Sequence, residues 1–359
     1  MGTQPYENIS KKKPTYPIQP FFSKYLSNYN RNVLIPVFYE DLLRFSGAIE
    51  VYDENGDDTL WVRVYYPEHE RIGIDKDLKK VYSILHGDGS DTSVPFLNID
   101  AVDYCTFGNS KPFRIKVRNI LNDNYTYMYI KKADASRVYG LELEHLLSPN
   151  RINFLVYKDT LIEDHISGIP GDTFIQDGLE SYSIRTQKQI AKEYVKFNER
   201  CIVRLLGDMR SYNYVVVPTH DFDQVRYRIR AIDFDQQCYE GKLKVYMPQF
   251  LKENKDYVEM VHNNLRTESI EQYKQEERST IAKRILLGKK RIRELVNCML
   301  KDQISTPEKI EQLKKDLYAY TKNPMFENCQ CMGEVLETTF DYVVKHYRDS
   351  YETGTKSSF

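Results

Sequence analysis

Hydrophobic and polar residues alternate with period two through residues 47–66, where GAIEVYDENGDDTLWVRVYY sets two β runs around Glu54-Asn55-Gly56. An Asn-Gly pair between alternating runs predicts a tight hairpin. Residues 75–87, DKDLKKVYSILHG, change to helical spacing and close on Gly87. Three further β runs follow, LNIDAVDYCTF, PFRIKVRNI and YTYMYIKKA, with turns at Gly108-Asn109-Ser110 and Asn122-Asp123-Asn124. They predict an antiparallel succession. SRVYGLELEHLLS carries Leu141, Leu143, Leu146 and Leu147 at helical spacing, INFLVYK and TLIEDHI read as a strand pair, and SGIPGD reads as a break.

After that break the period becomes helical. Ile190, Tyr194, Phe197, Cys201 and Leu205 recur three to four residues apart, the stripe of a buried amphipathic helix. YVVV and VRYRIRAI then predict one more hairpin. Beyond residue 240 helices dominate: Ile281, Ile285, Ile292, Leu295 and Met299 form one stripe, and Ser305-Thr306-Pro307-Glu308 reads as a capping box. The first thirty residues, rich in Lys, Pro, Tyr and Asn, read as an extended arm. The order predicts an α+β chain: an arm over 1–45, a β-rich half over 46–166, a mainly helical half over 167–345 that holds the second hairpin, and a tail over 346–359.

Composition narrows the function classes. A chain of 359 residues, 41% apolar and 29% charged, has material for two domains or one bilobal unit. A formal charge of -1 gives no global reason to expect nucleic acid or an anionic membrane as partner. No run of 18 apolar residues occurs and the polar start lacks the apolar centre of a signal peptide, so a cytoplasmic protein is expected. Of the six Cys only Cys329 and Cys331 lie close, without the paired C-x-x-C spacing of a zinc site.

The candidate chemistry lies in GDMRSYNYVVV, residues 207–217. Asp-x-x-x-x-Asn alone says little, because a chain of this length holds roughly one chance match. Both side chains also cap turns well. Context adds weight: Asp208 follows the long helix, Asn213 precedes a strand, and the partner strand leads into Asp233-Phe234-Asp235. A hairpin would bring these polar ends together, and the two close carboxylates would repel unless a cation neutralised them. Phosphoryl transfer needs such a grouping, with one carboxylate for the acceptor hydroxyl and an Asn and a second carboxylate for Mg²⁺ on the nucleotide phosphates.

Helix, G-D-x-x-x-x-N, strand, strand, I-D-F-D resembles the catalytic core of the protein-kinase-like superfamily, especially its aminoglycoside and choline phosphotransferase branch. The resemblance covers about residues 98–240. It implies a bilobal fold with an antiparallel β-rich N-lobe and a mainly helical C-lobe, using ATP and Mg²⁺. By the same resemblance Asp208 is the base or hydroxyl-orienting residue, Arg210 touches the transferred phosphate, Asn213 and Asp233 hold metal, and Asp235 supports a second ion. Gly108 stands in the phosphate-loop position, Lys131 or Lys132 in that of the third-strand Lys, and Tyr129 against adenine. Glu142 or Glu144 pairs with the Lys, and Glu163 and His165 belong to the hinge. The acceptor is a small-molecule or protein hydroxyl, the short segment after Asp235 favouring a small molecule. Leu206 replaces the His of H-G-D, Asp235 replaces the Gly of D-F-G, and a glycine-rich loop is missing. These departures keep a second reading open, a catalytically weak pseudokinase that binds nucleotide or protein as a scaffold.

Overall fold

A computed structural model of the chain describes residues 13–87, 94–107, 110–176, 178–221 and 224–356. The described residues cluster into two compact units, 13–135 with 152–165 and 136–151 with 166–356. The architecture is α+β, with an antiparallel seven-stranded sheet in the N-terminal half and mostly helices in the C-terminal half. No helix among the described residues is long and apolar enough to cross a membrane.

The strand unit holds α1 (Pro20–Asn28), α2 (Tyr39–Leu42), β1 (Gly47–Tyr52), β2 (Asp58–Tyr65), α3 (Glu68–His86), β3 (Leu97–Cys105), β4 (Phe113–Asn119), β5 (Tyr125–Lys132), β6 (Phe154–Tyr157) and β7 (Thr160–Asp164). Its sheet runs β1-β2-β3-β4-β5-β7-β6 with every pairing antiparallel. The alternation read from sequence becomes two chemically distinct faces. On one, Val102, Ile115, Val117, Met128, Ile130 and Ile162 join Ile74, Leu78, Val81 and Leu85 of α3 in the core. The other carries polar and aromatic side chains. There Asp103, 1% exposed, accepts from Arg63 Nε at 3.0 Å and Arg114 Nη2 at 2.9 Å. The arm expected at the N-terminus is, from residue 13 on, part of this unit. Phe22, Tyr25 and Leu26 of α1 are buried, Tyr16 N donates to Asp134 Oδ1 at 2.8 Å, and Ala135 N donates to Tyr16 O at 2.8 Å. A Pro at the first helical turn and apolar residues three to four apart are the local cause.

The helical unit holds α4 (Ala135–Leu147, from Ser136 on), β8 (Ile169–Pro170), α5 (Gly171–Gln176), α6 (Ile184–Arg204), β9 (Tyr214–Asp221), β10 (Gln224–Ala231), α7 (Lys255–Asn264), α8 (Thr267–Leu287), α9 (Lys289–Met299), α10 (Pro307–Thr321) and α11 (Met332–Lys356). The α6 stripe is buried as its spacing predicts, and Ser183 caps the helix by accepting from Thr186 N at 3.2 Å. SGIPGD is not only a break: Ile169 and Pro170 pair with Val216 and Val215, making a third strand in the order β10-β9-β8. Two residues have no period to read, which hid this strand. The exposed side of β10 is closed by α6, where Glu193 Oε1 accepts from Ile229 N at 3.3 Å and Arg200 Nη2 donates to Ile229 O at 3.2 Å. The cap of α10 is Thr306, whose hydroxyl accepts from Lys309 N, one residue later than the box expected on Ser305; the Ser305 hydroxyl donates to Tyr239 O instead.

Helix α4 is buried at every residue from Ala135 to Glu144, so its charges need partners inside the protein. Glu142 Oε1 accepts from Arg291 Nε at 2.7 Å, and Glu144 Oε2 is paired with Arg204 Nη1. The helix approaches the 234–237 segment through Gly140, where an added Cβ would lie 3.0 Å from Phe234 Cβ and 3.1 Å from Gln237 Cβ. Gly140→Val is therefore expected to cost about 1–3 kcal/mol through overpacking. Urea denaturation checks this, and an unchanged midpoint contradicts the close approach.

Candidate active site

Asp208 follows the C-terminal turn of α6, where Leu205 and Asp208 both take left-handed backbone angles, φ 54° and 59°. Non-glycine residues rarely hold that conformation, and here the surroundings dictate it. Asp208 N donates to Val245 O at 3.1 Å, while Asp208 O accepts from Arg210 N at 2.8 Å and from Asn213 Nδ2 at 2.8 Å. The Asp and the Asn five residues on are thus locked through backbone and amide. Asn213 Oδ1 makes no hydrogen bond among the described residues.

Register brings in the third residue. Tyr214 pairs with Ala231 at the base of the β9–β10 hairpin, and Ile232 N donates to Asn213 O at 3.0 Å. Asp233 follows directly, at the same end of the hairpin as Asn213. Burial raises the Asp208 carboxyl to about 6 against the pull of Arg210, and the nearby charges of Asp233 and Glu253 push in the same direction as burial. Arg210 is held between two carboxylates, with Nε donating to Asp208 Oδ1 at 2.6 Å and Nη1 to Glu253 Oε1 at 2.7 Å.

Three residues of this site escaped the sequence reading. Glu253 fixes the far end of Arg210. Asn254, wholly buried, donates to Met209 O and Pro248 O at 2.8 Å each and accepts from Tyr214 OH at 3.0 Å, tying the 252–254 turn to the Asp208 loop. Arg137 of α4, 2% exposed, donates from Nη1 to Asp233 Oδ1 at 2.7 Å and to Asp235 Oδ1 at 2.6 Å. The cation demanded by that carboxylate pair is, in this structure, a guanidinium.

The nucleotide candidates of the strand unit take the following places. Lys131 is 7% exposed and Lys132 exposed, so Lys131 is the covered lysine of the two. Its ammonium donates to Glu163 Oε2 at 2.8 Å. The carboxylates expected for it are engaged elsewhere, Glu142 with Arg291 and Glu144 with Arg204. The cause is register: Tyr129 pairs with Glu163 and Lys131 with Leu161, so Glu163 is the diagonal neighbour of Lys131 on one face. Tyr129 shares that face. Its ring lies 6.4 Å from Trp61 and its hydroxyl 3.3 Å from His165 Nδ1, while Arg114 lies 4.4 Å from the centre of the Trp61 ring. Burial pushes the His165 pKa down and that of Tyr129 up. Gly108 lies outside the described residues.

Among the described residues no three His, Cys, Asp or Glu cluster in a way that could hold a metal ion. Asn213, Asp233 and Asp235 offer oxygen donors only, the ligand type that suits Mg²⁺, and both carboxylates are held by Arg137. A scan of protein-family models finds no match to the chain, and a search of curated proteins finds none either.

Proposed function

We propose that the protein is an ATP- and Mg²⁺-dependent phosphotransferase with a bilobal protein-kinase-like fold, the strand unit as N-lobe and the helical unit as C-lobe. In the reaction the bond between the γ-phosphorus and the β,γ-bridging oxygen breaks, a new P–O bond forms to an acceptor hydroxyl, and the hydroxyl proton passes to Asp208. The observation that carries this reading is the Asp208–Asn213–Asp233 grouping, in which a buried carboxyl raised to about 6 sits beside an unengaged amide oxygen and a second carboxylate. A base with that affinity is charged at neutral pH and still takes a proton readily. Arg210 faces the transferred phosphate as a planar guanidinium. Mg²⁺, when bound by Asn213, Asp233 and Asp235, neutralises phosphate charge. Lys131, paired with Glu163, and the rings of Tyr129 and Trp61 are the side chains this reading assigns to the nucleotide.

Asp233→Ala is expected to weaken Mg-ATP binding at least tenfold while Asp208→Ala leaves it within a few-fold, as read by thermal-shift titration with ATP and Mg²⁺. Equal ATP affinity in wild type and Asp233→Ala contradicts the assignment. A second reading, a pseudokinase scaffold, is favoured by Arg137 holding both acidic side chains of Asp233-Phe234-Asp235. It predicts an ATP shift that is indifferent to Mg²⁺ and no labelled phosphate on any acceptor.

A further inference from the structure

We propose that Arg137 is a built-in latch on the metal site, which a divalent cation must displace from Asp233 and Asp235 before the site is competent. The inference rests on the phosphotransferase reading and concerns the regulation of the same site. One guanidinium nitrogen, Arg137 Nη1, donates to both carboxylates, at 2.7 Å to Asp233 Oδ1 and 2.6 Å to Asp235 Oδ1. The two carboxylates that would hold a cation are thus already joined by a positive group. Charge-assisted bonds of this length are strong, and Arg137 is buried while the side chains of Asp233 and Asp235 are 35% and 22% exposed, which leaves the acidic ends open to an incoming cation.

The turn bearing Arg137 is fastened to the segment it guards. The Ser136 hydroxyl donates to Gln237 O at 2.6 Å and to Asp235 O at 3.4 Å. Gly140, one turn on, packs against Phe234 and Gln237. Tyr139 OH donates to Asp302 Oδ2 at 2.9 Å. With the helix pinned, the guanidinium leaves by rotating its own side chain. The exchange of Arg137 for metal then appears as a lowered metal affinity, since a ligand that first displaces a competitor binds with its affinity reduced by the competent fraction. Two states follow, one with the acidic pair closed on Arg137 and one open to metal and phosphate.

Mn²⁺ titration followed by electron paramagnetic resonance, with and without ATP, tests this on wild type, Arg137→Gln, Arg137→Lys and Asp233→Ala. Arg137→Gln is expected to bind Mn²⁺ at least tenfold more tightly than wild type. Arg137→Lys, which keeps the charge and the donors on a shorter side chain, is expected to bind a few-fold more tightly, and Asp233→Ala more weakly. Circular-dichroism melts identify a variant that fails to fold. Should Arg137→Gln be one, Arg137→Lys carries the comparison alone. Wild-type affinity in the folded Arg137 variants, with binding still lost in Asp233→Ala, overturns the latch and leaves the phosphotransferase reading standing. Absence of Mn²⁺ binding in every variant, with and without ATP, overturns both.

Discussion

Asp208→Asn is expected to abolish phosphoryl transfer, by at least a hundredfold in kcat/KM, and at the same time to raise the melting temperature above pH 6. The two effects share a cause. Burial holds the Asp208 carboxyl at about 6, against an unfolded value of 3.8. The folded protein therefore binds the proton more tightly than the unfolded chain, and stability falls as pH rises from about 4 to about 6, then stays level. A difference of roughly two pKa units corresponds to about 3 kcal/mol lost by neutral pH. Asn keeps the shape and removes the charge, and the loss of the charge-assisted bond from Arg210 is already contained in that difference, because Arg210 lowers the same pKa. Arg210 keeps Glu253 as its partner at 2.7 Å. The variant should melt a few degrees above wild type at pH 7.5, with little of the stability change between pH 4 and 6. In the wild type, kcat/KM should climb as pH rises through about 6. A turn-forming Asp would give the opposite sign, a loss of stability without any effect on transfer.

The largest stability effect is expected at Glu144. This carboxylate is 3% exposed, and burial alone would raise its pKa. Arg204 beside it and the Ser148 hydroxyl, which donates to Glu144 Oε1 at 2.6 Å, reverse that effect and hold the carboxyl below its usual range. Glu144→Ala would leave Arg204, 1% exposed, without its counter-ion, and should cost about 3–5 kcal/mol. Since the folded pKa is lowered, this stabilisation is complete above the unfolded value near 4.5 and is lost as pH falls through the folded one. Urea denaturation at pH 7 and below pH 4 checks both the size and the sign. A variant as stable as wild type at pH 7 would show that the pair does not hold α4.

Both residues illustrate what periodicity and spacing reveal and what they hide. The strands around Asn55-Gly56, the α6 stripe and the β9–β10 hairpin were legible because each rests on neighbours within a few residues. Hairpin register was enough to bring Asn213 and Asp233 to one end. The counter-ions were not legible. Arg137 lies 96 residues before Asp233, Glu144 is 60 residues before Arg204, and Glu253 is 43 residues after Arg210. An ion pair leaves no spacing rule when its members sit on separate elements. The resemblance places the carboxylate of Lys131 on the following helix, whereas sheet register supplies Glu163 as a diagonal neighbour. In SGIPGD the glycines signal a break, although Gly168 also lets the chain lie against Val215, 2.8 Å from an added Cβ.

The account rests on Asp208 acting on an acceptor hydroxyl, and one measurement addresses that most directly. Purified wild type and Asp208→Asn are incubated with γ-labelled ATP and Mg²⁺ against a panel of sugars, amino alcohols, nucleosides and proteins. Transfer of label to a hydroxyl acceptor by wild type, lost in the folded Asp208→Asn variant, is the expected result. Equal transfer by the two proteins, or no transfer to any acceptor by wild type, contradicts it.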